Sequence, residues 1–129
     1  MALDPDRLDD EVLAFLRERH LATLTTLRAD GSPHVVPVGF AYSPDERLVR
    51  IISADGSQKV RNAERGGRAA VSQVDGRRWL TLEGPIGVRR EPDAVAAAEA
   101  AYTERYQAPR ERADRVAIEI SVDRIIGRG

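Results

Sequence analysis

The sequence predicts a mainly β fold, a six-stranded antiparallel barrel with peripheral helices, formed by a single domain over residues 1–129. Three observations predict it. Six short runs have the residue pattern of strands, turn sequences join most of them, and helical periodicity is confined to three segments. The length of 129 residues also leaves no room for separate cofactor and substrate domains.

The chain opens with a predicted amphipathic helix over about residues 8–19. Acidic residues occupy its first turn, where the helix dipole favours negative charge. Its apolar side chains recur at helical spacing, at Leu8, Val12, Phe15 and Leu16.

Two β-runs follow, HLATLTTL and HVVPVGFAY, and the segment ADGSP between them predicts a hairpin turn. Pro37 lies inside the second run and cannot donate to a ladder, so we expect an edge strand or a bulge there. The turn SPDE then leads to a third strand, RLVRIIS.

A short helix is predicted within SQKVRNAERGG, with Ser57 as its N-cap and two glycines ending it. RAAVSQV is the fourth strand, DGRR the turn, and WLTLEGPIGVRR the fifth strand. Gly84 and Pro85 predict a kink in the fifth strand.

The one long helix is EPDAVAAAEAAYTERY, with Pro92 at its start and a stripe formed by Val95, Ala98, Tyr102 and Tyr106. The run RVAIEISVDRII alternates strictly and is the sixth strand. Because small barrels are filled by their own side chains, we expect any ligand to bind at the surface or between subunits.

Composition excludes several classes of function. The 20 basic and 21 acidic residues give a net charge of −1, so nothing indicates a nucleic-acid partner or a charged membrane surface. The absence of cysteine excludes disulfides and thiolate chemistry.

The apolar runs are too short for a membrane span, and the acidic N-terminus predicts a cytoplasmic protein. His20 and His34 have no carboxylate at ligand spacing, so we expect no metal site.

Two clusters could bind an anion. Ser57, Lys59 and Asn62 lie at the start of the short helix, where amide groups and the chain's one lysine suit a phosphate; a capped surface helix explains them equally well. Arg77, Arg78 and Trp79 offer guanidinium groups and a flat ring to an aromatic anion. The alternative is a basic hairpin tip with tryptophan as a core anchor.

The order HLATLTTLRADGSPHVVPVGF, GSQKVRN and SQVDGRRWLTLEG resembles the split β-barrel flavin and deazaflavin oxidoreductases related to the pyridoxamine-phosphate oxidases. The sequence is most similar to the branch that uses the deazaflavin coenzyme F420, in particular its biliverdin reductases. The resemblance spans about residues 8–126.

This resemblance implies a homodimer with a coenzyme in each of two grooves between the subunits. Ser57, Lys59 and Asn62 would hold the coenzyme phosphate, and the strand around Pro37, Val38 and Gly39 would lie under the deazaflavin ring. Arg77, Arg78 and Trp79 would come from the partner subunit or line the coenzyme tail.

The implied reaction is hydride transfer from reduced F420 to the central methine bridge of biliverdin, with the propionates paired to Arg77 or Arg78. The family pattern identifies no catalytic side chain. Two alternatives remain. One is an FMN-dependent oxidoreductase of the same barrel family. The other is a protein that binds a flavin, deazaflavin or tetrapyrrole without catalysis.

Overall fold

The computed structural model describes residues 2–129. Its strands are β1 (Ala2–Leu3), β2 (Ala22–Leu27), β3 (Pro33–Val38), β4 (Ala41–Ser43), β5 (Leu48–Ala54), β6 (Arg68–Asp75), β7 (Arg78–Arg89), β8 (Arg115–Ser121) and β9 (Arg124–Arg128). Its helices are α1 (Asp10–Arg17), α2 (Gln58–Glu64) and α3 (Pro92–Arg105).

All the strands pair antiparallel, in the order β3-β2-β6-β7-β8-β5-β4. β9 pairs with β7 and with β1, off this path. The fold is mainly β and its sheet is antiparallel, as predicted. The sheet is open, because β3 and β4 at its two ends do not pair with each other. The expectation of a closed narrow barrel is therefore wrong.

The predicted count of six strands is also wrong, because residues 2–129 form nine. The predicted second strand ends at Val38, and Gly39 and Phe40 separate it from β4. The cause is tertiary: the backbone N–H of Phe40 donates to the Tyr106 hydroxyl, and its carbonyl accepts from Arg105.

The last predicted strand divides into β8 and β9 at Val122 and Asp123. Val122 N–H still donates to the carbonyl of Arg47, the next pair in the β5–β8 register, whereas Asp123 N–H donates to the carbonyl of Glu83 in β7, so the chain leaves β5 at Asp123. The third strand that the sequence did not predict is β1, which has two residues and pairs with β9.

β7 joins the two parts of the sheet. It pairs with β6 as far as Pro85 and with β8 from Ile86 onward, so the predicted kink lies where the partner strand changes. A Cβ atom at Gly84 would lie 1.8 Å from the carbonyl oxygen of Ser121. Glycine is required there because the backbones approach too closely for a side chain.

One apolar core lies between the sheet and the helices. α1 begins after Asp9, whose carboxylate accepts from Val12 N–H at 2.9 Å, and the helix buries Phe15 and Leu16. α2 begins after Ser57, as predicted, and buries Val60 and Ala63.

α3 packs on β5, β8 and β4. Ala98 of the predicted stripe is buried, Val95 and Tyr102 are half-buried, and Tyr106 follows the end of the helix. In residues 2–129, no helix combines the length and apolarity needed to cross a bilayer.

Candidate functional site

A cavity of about 460 Å³ lies where the end of β3, β5, the start of α2 and the segment after α3 meet. Four of the residues predicted from the sequence line it: Pro37, Val38, Gly39 and Lys59. Local sequence signals that are 20 residues apart therefore converge on one site.

β3 forms one wall of the cavity. It pairs only with β2, so Pro37, opposite Thr23, lies in an edge strand as predicted. Its other edge has no strand partner in residues 2–129, which leaves backbone groups available to a ligand or to another chain. Gly39 packs against the rings of Tyr102 and Tyr106.

Lys59 extends from the first turn of α2 to the cavity. It is half-buried, and its ammonium makes no hydrogen bond or ion pair within residues 2–129. Burial lowers the pKa of Lys59 below its ordinary value. An anion bound beside this ammonium would offset the cost of its burial.

Ser57 fixes the start of α2. Its hydroxyl oxygen accepts from Val60 N–H at 3.4 Å and lies 3.1 Å from the Ser53 hydroxyl oxygen. The side chain therefore acts as the helix cap, as predicted. Its contact with a coenzyme phosphate stays a prediction.

Asn62 faces away from the cavity. It is 2% exposed, and its amide nitrogen donates to the Thr26 hydroxyl at 3.0 Å. Its amide oxygen accepts from Gln58 and Arg65. These bonds attach α2 to β2, and a coenzyme contact at Asn62 stays a prediction without support from the lining of the cavity.

Three arginines that the sequence reasoning missed also line the cavity. Arg115 donates to Glu99 at 2.8 Å, and Arg112 donates to Asp114 at 3.0 Å. Arg110 has no hydrogen bond or ion pair within the described chain. No Asp or Glu lines this cavity. The basic run PRERADR between the long helix and the last strand is the signal that could have indicated them.

Arg77, Arg78 and Trp79 lie at the β6–β7 hairpin and do not line this cavity within one chain. The guanidinium of Arg78 makes a two-bond pair with Glu18, at 2.9 Å for each bond, and also donates to Asp75. It lies 4.3 Å from the centroid of the Phe15 ring. The Arg78 side chain is therefore already paired.

Glu18 lies at the centre of this network. Its hydrogen bonds with Arg78 and then His20 lower its pKa from 4.5 to about 2. Potential metal-ligand atoms lie within 4.8 Å of one another on the side chains of Glu18, His20 and Asp75. The Arg78 guanidinium already bonds to both carboxylates and would compete with a cation.

Arg105 connects the end of α3 to the residues that follow α1 and β3. Its guanidinium is buried and donates to the carbonyls of Glu18 and Phe40 and to the amide oxygen of Gln73, at 2.7 to 2.8 Å. Nearby, the Tyr106 hydroxyl donates to the carbonyl of His20 at 2.6 Å. These bonds fix the corner after Gly39.

A second cavity of about 440 Å³ lies between α1, β4 and α3. Tyr42 and Arg50 line it, and the Tyr42 hydroxyl and the Arg50 Nε atom are buried without a partner within residues 2–129. None of the sequence-predicted site residues is there. We therefore take the cavity beside Lys59 as the candidate site.

The chemistry of the cavity beside Lys59 suits a planar anion. An edge strand and the Tyr102 ring provide walls, and Lys59 and Arg110 provide unpaired positive charge. No nucleophile and base are paired among its lining residues. The residues present fit the ring and the phosphate of a flavin-type coenzyme, which would supply the reactive atoms itself.

Comparison with known proteins agrees with this chemistry. Residues 8–129 match the family model described as pyridoxamine 5'-phosphate oxidase. The chain is 55% identical over 121 residues to the F420H(2)-dependent biliverdin reductase of Mycobacterium tuberculosis (strain CDC 1551 / Oshkosh), covering 94% of this chain and 88% of that protein.

Solved structures show the same fold. An F420 reductase is 25% identical, with a TM-score of 0.74 and coverage of 92% of this chain and 98% of the other. HutZ, the haem-storage protein of Vibrio cholerae, is 17% identical, with a TM-score of 0.75 and coverage of 95% and 96%. The identity to HutZ supports a shared fold alone.

Proposed function

The chain belongs to the pyridoxamine 5'-phosphate oxidase family, and from this we propose that it is an oxidoreductase that reduces biliverdin with reduced coenzyme F420 as hydride donor. One observation carries the proposal: the chain is 55% identical to an F420H(2)-dependent biliverdin reductase over 94% of its length. The similarity to an F420 reductase structure supports the choice of coenzyme.

The cavity is lined by residues suited to the ring and to the phosphate of the coenzyme. Pro37, Val38 and Gly39 form the wall that would lie under the deazaflavin ring, and the Lys59 ammonium would hold the phosphate. When bound, reduced F420 would supply the hydride. The chain's own residues bind and orient the two molecules and exclude water from between them.

We propose that the site is completed by a second copy of the chain. Leu27, Val35 and Val74 are exposed by 52%, 56% and 66%, and the strand registers put them on one face of the β3-β2-β6 sheet. An exposed apolar face on a small domain is typical of an interface.

The cavity borders the same face. Pro37 pairs with Thr23, and Trp79 pairs with Val74, so both lie on the side of the sheet that carries the exposed apolar residues. A homodimer through this face would bring Trp79 of one subunit towards the other subunit's coenzyme. This supports a role for Trp79 across the interface, whereas a role for Arg77 rests on the resemblance alone.

Equilibrium binding and turnover test the proposal together. We expect purified protein to bind oxidised F420 more tightly than FMN and to reduce biliverdin when supplied with reduced F420. Preference for FMN would instead assign the protein to the flavin-dependent oxidoreductases. Tight F420 or bilin binding without turnover would indicate a binding protein.

The dimer has its own test. Val35→Lys places a charge on the exposed face and is expected to give a monomer by light scattering. The control Asp45→Lys changes an exposed side chain away from that face, in the turn between β4 and β5. A wild-type monomer that bound F420 fully would contradict the dimeric site.

A further inference from the structure

Arg110 is the unassigned positive charge of the candidate site. It lies on the segment between α3 and β8, it is exposed, and it lines the cavity. Its two neighbours at the cavity are neutralised, Arg112 by Asp114 and Arg115 by Glu99. Arg110 has no such carboxylate within residues 2–129.

Of the two arginines expected from the sequence to meet substrate carboxylates, Arg77 does not line the cavity and Arg78 is already paired. Arg78 holds Glu18 through two bonds and Asp75 through a third. A substrate carboxylate would have to compete with these two carboxylates for Arg78. At Arg110 nothing in the described chain has to be displaced.

The two unpaired cations differ in position and in chemistry. Lys59 is half-buried on α2, whereas Arg110 is exposed on the segment between α3 and β8. An ammonium suits a phosphate as a compact point charge, and a planar guanidinium suits a carboxylate through two parallel bonds. A coenzyme that lies on β3 with its phosphate at Lys59 leaves Arg110 for the carboxylate of a second molecule.

We propose that Arg110 binds a carboxylate of the substrate, and that it thereby selects linear tetrapyrroles with free acid side chains over their esters. The inference rests on the proposed function, because it assumes that the coenzyme occupies the wall beside Lys59. Arg110 is a binding residue in this scheme and takes no part in hydride or proton transfer.

The test compares two forms of one substrate. Biliverdin and its dimethyl ester share the same chromophore, but only the acid carries negative charge. Binding of each is measured by titration into protein loaded with oxidised F420, which needs no turnover, and the KM of each is measured with reduced F420. The variants are Arg110→Gln, Arg110→Lys and the control Arg124→Gln, which changes an exposed arginine on β9 outside the cavity.

We expect the wild type and Arg124→Gln to bind the diacid about tenfold or more tightly than the diester, the effect of one charge-assisted bond. In Arg110→Gln the two affinities become similar through loss of diacid binding, because the diester has no carboxylate to lose a bond to Arg110. Arg110→Lys restores part of the preference.

Two results would overturn the role of Arg110. One is an unchanged diacid preference in Arg110→Gln, with or without weaker F420 binding. The other is a wild-type protein that binds acid and ester equally. If the wild type shows the Arg110-dependent preference but no turnover, the proposed reaction fails and the carboxylate site stands.

Discussion

Gly39 and Tyr102 are packed so closely that a Cβ atom on Gly39 would lie 3.0 Å from Cε2 of the tyrosine ring. The same atom would lie 3.2 Å from the ring of Tyr106. The end of β3 is therefore held directly against the C-terminal end of α3. Because Gly39 and Tyr102 both line the candidate site, this contact determines the distance between two of its walls.

Gly39→Ala is expected to weaken F420 binding and to lower stability by about 1 kcal/mol, because the added methyl group displaces the tyrosine rings. The matched control is Gly87→Ala, since a Cβ atom at Gly87 would meet nothing within 4 Å. Coenzyme titration and urea unfolding measure the two effects. Equal behaviour of the two variants would show that the tyrosine contact does not shape the site.

Lys59→Met should weaken F420 binding by roughly 1–3 kcal/mol, the contribution of a charge-assisted hydrogen bond to phosphate. Lys59→Arg is the control, because it keeps the positive charge. Fluorescence titration of the coenzyme measures both. An affinity unchanged by Lys59→Met would remove this residue from the phosphate site.

The pH dependence of binding follows from the pKa of Lys59. Burial lowers this pKa in the ligand-free protein, and a bound anion favours the charged form. F420 affinity should therefore fall as the pH rises through the lowered pKa, and Lys59→Arg should remove that dependence. In the same window the ligand-free protein gains stability with pH, because the unfolded chain binds the proton more strongly.

Arg105→Met should destabilise the protein by about 2–4 kcal/mol, because it leaves the carbonyls of Glu18 and Phe40 and the amide of Gln73 without their donor in a buried site. Arg105→Lys should recover only part of the loss, since an ammonium cannot match the planar arrangement of three acceptors. Chemical unfolding measures the stability of the two variants against that of the wild type. Full stability in Arg105→Met would mean that water replaces the guanidinium.

Local signals in the sequence predicted the features that depend on one residue. Pro37 indicated an edge strand because it lacks an N–H, Ser57 indicated a helix start because its hydroxyl can cap, and Gly84 indicated a kink. Pro37 and Lys59 also reach the same cavity, which the chain's spacing alone could not show.

The features that the sequence could not predict depend on distant partners. Arg105 looks like a surface residue at the end of a helix, but it is buried because Glu18, Phe40 and Gln73 surround it from far along the chain. The strict alternation through Val122 conceals a strand break, because the next N–H, that of Asp123, donates to Glu83 of β7 and not to β5. Arg78 likewise looks like an unpaired cation in the sequence, but in the structure it is paired with Asp75 and Glu18.

The network around Glu18 predicts how acid destabilises the fold. Arg78 and His20 lower the folded-state pKa of Glu18 to about 2, below the usual 4.5 of an unfolded chain. The ionised carboxylate therefore stabilises the native state fully above about pH 4.5, and this contribution is lost as the pH falls towards 2.

Unfolding experiments between pH 6 and pH 2 test this sign. Glu18→Gln should be less stable than the wild type near pH 6, and the difference should shrink as the pH falls, because both proteins then carry a neutral side chain at residue 18. The control Asp45→Asn removes an exposed carboxylate from the turn between β4 and β5 and should leave the wild-type pH profile nearly unchanged. A stability difference for Glu18→Gln that stayed constant down to pH 2 would mean that the pair with Arg78 does not depend on ionisation.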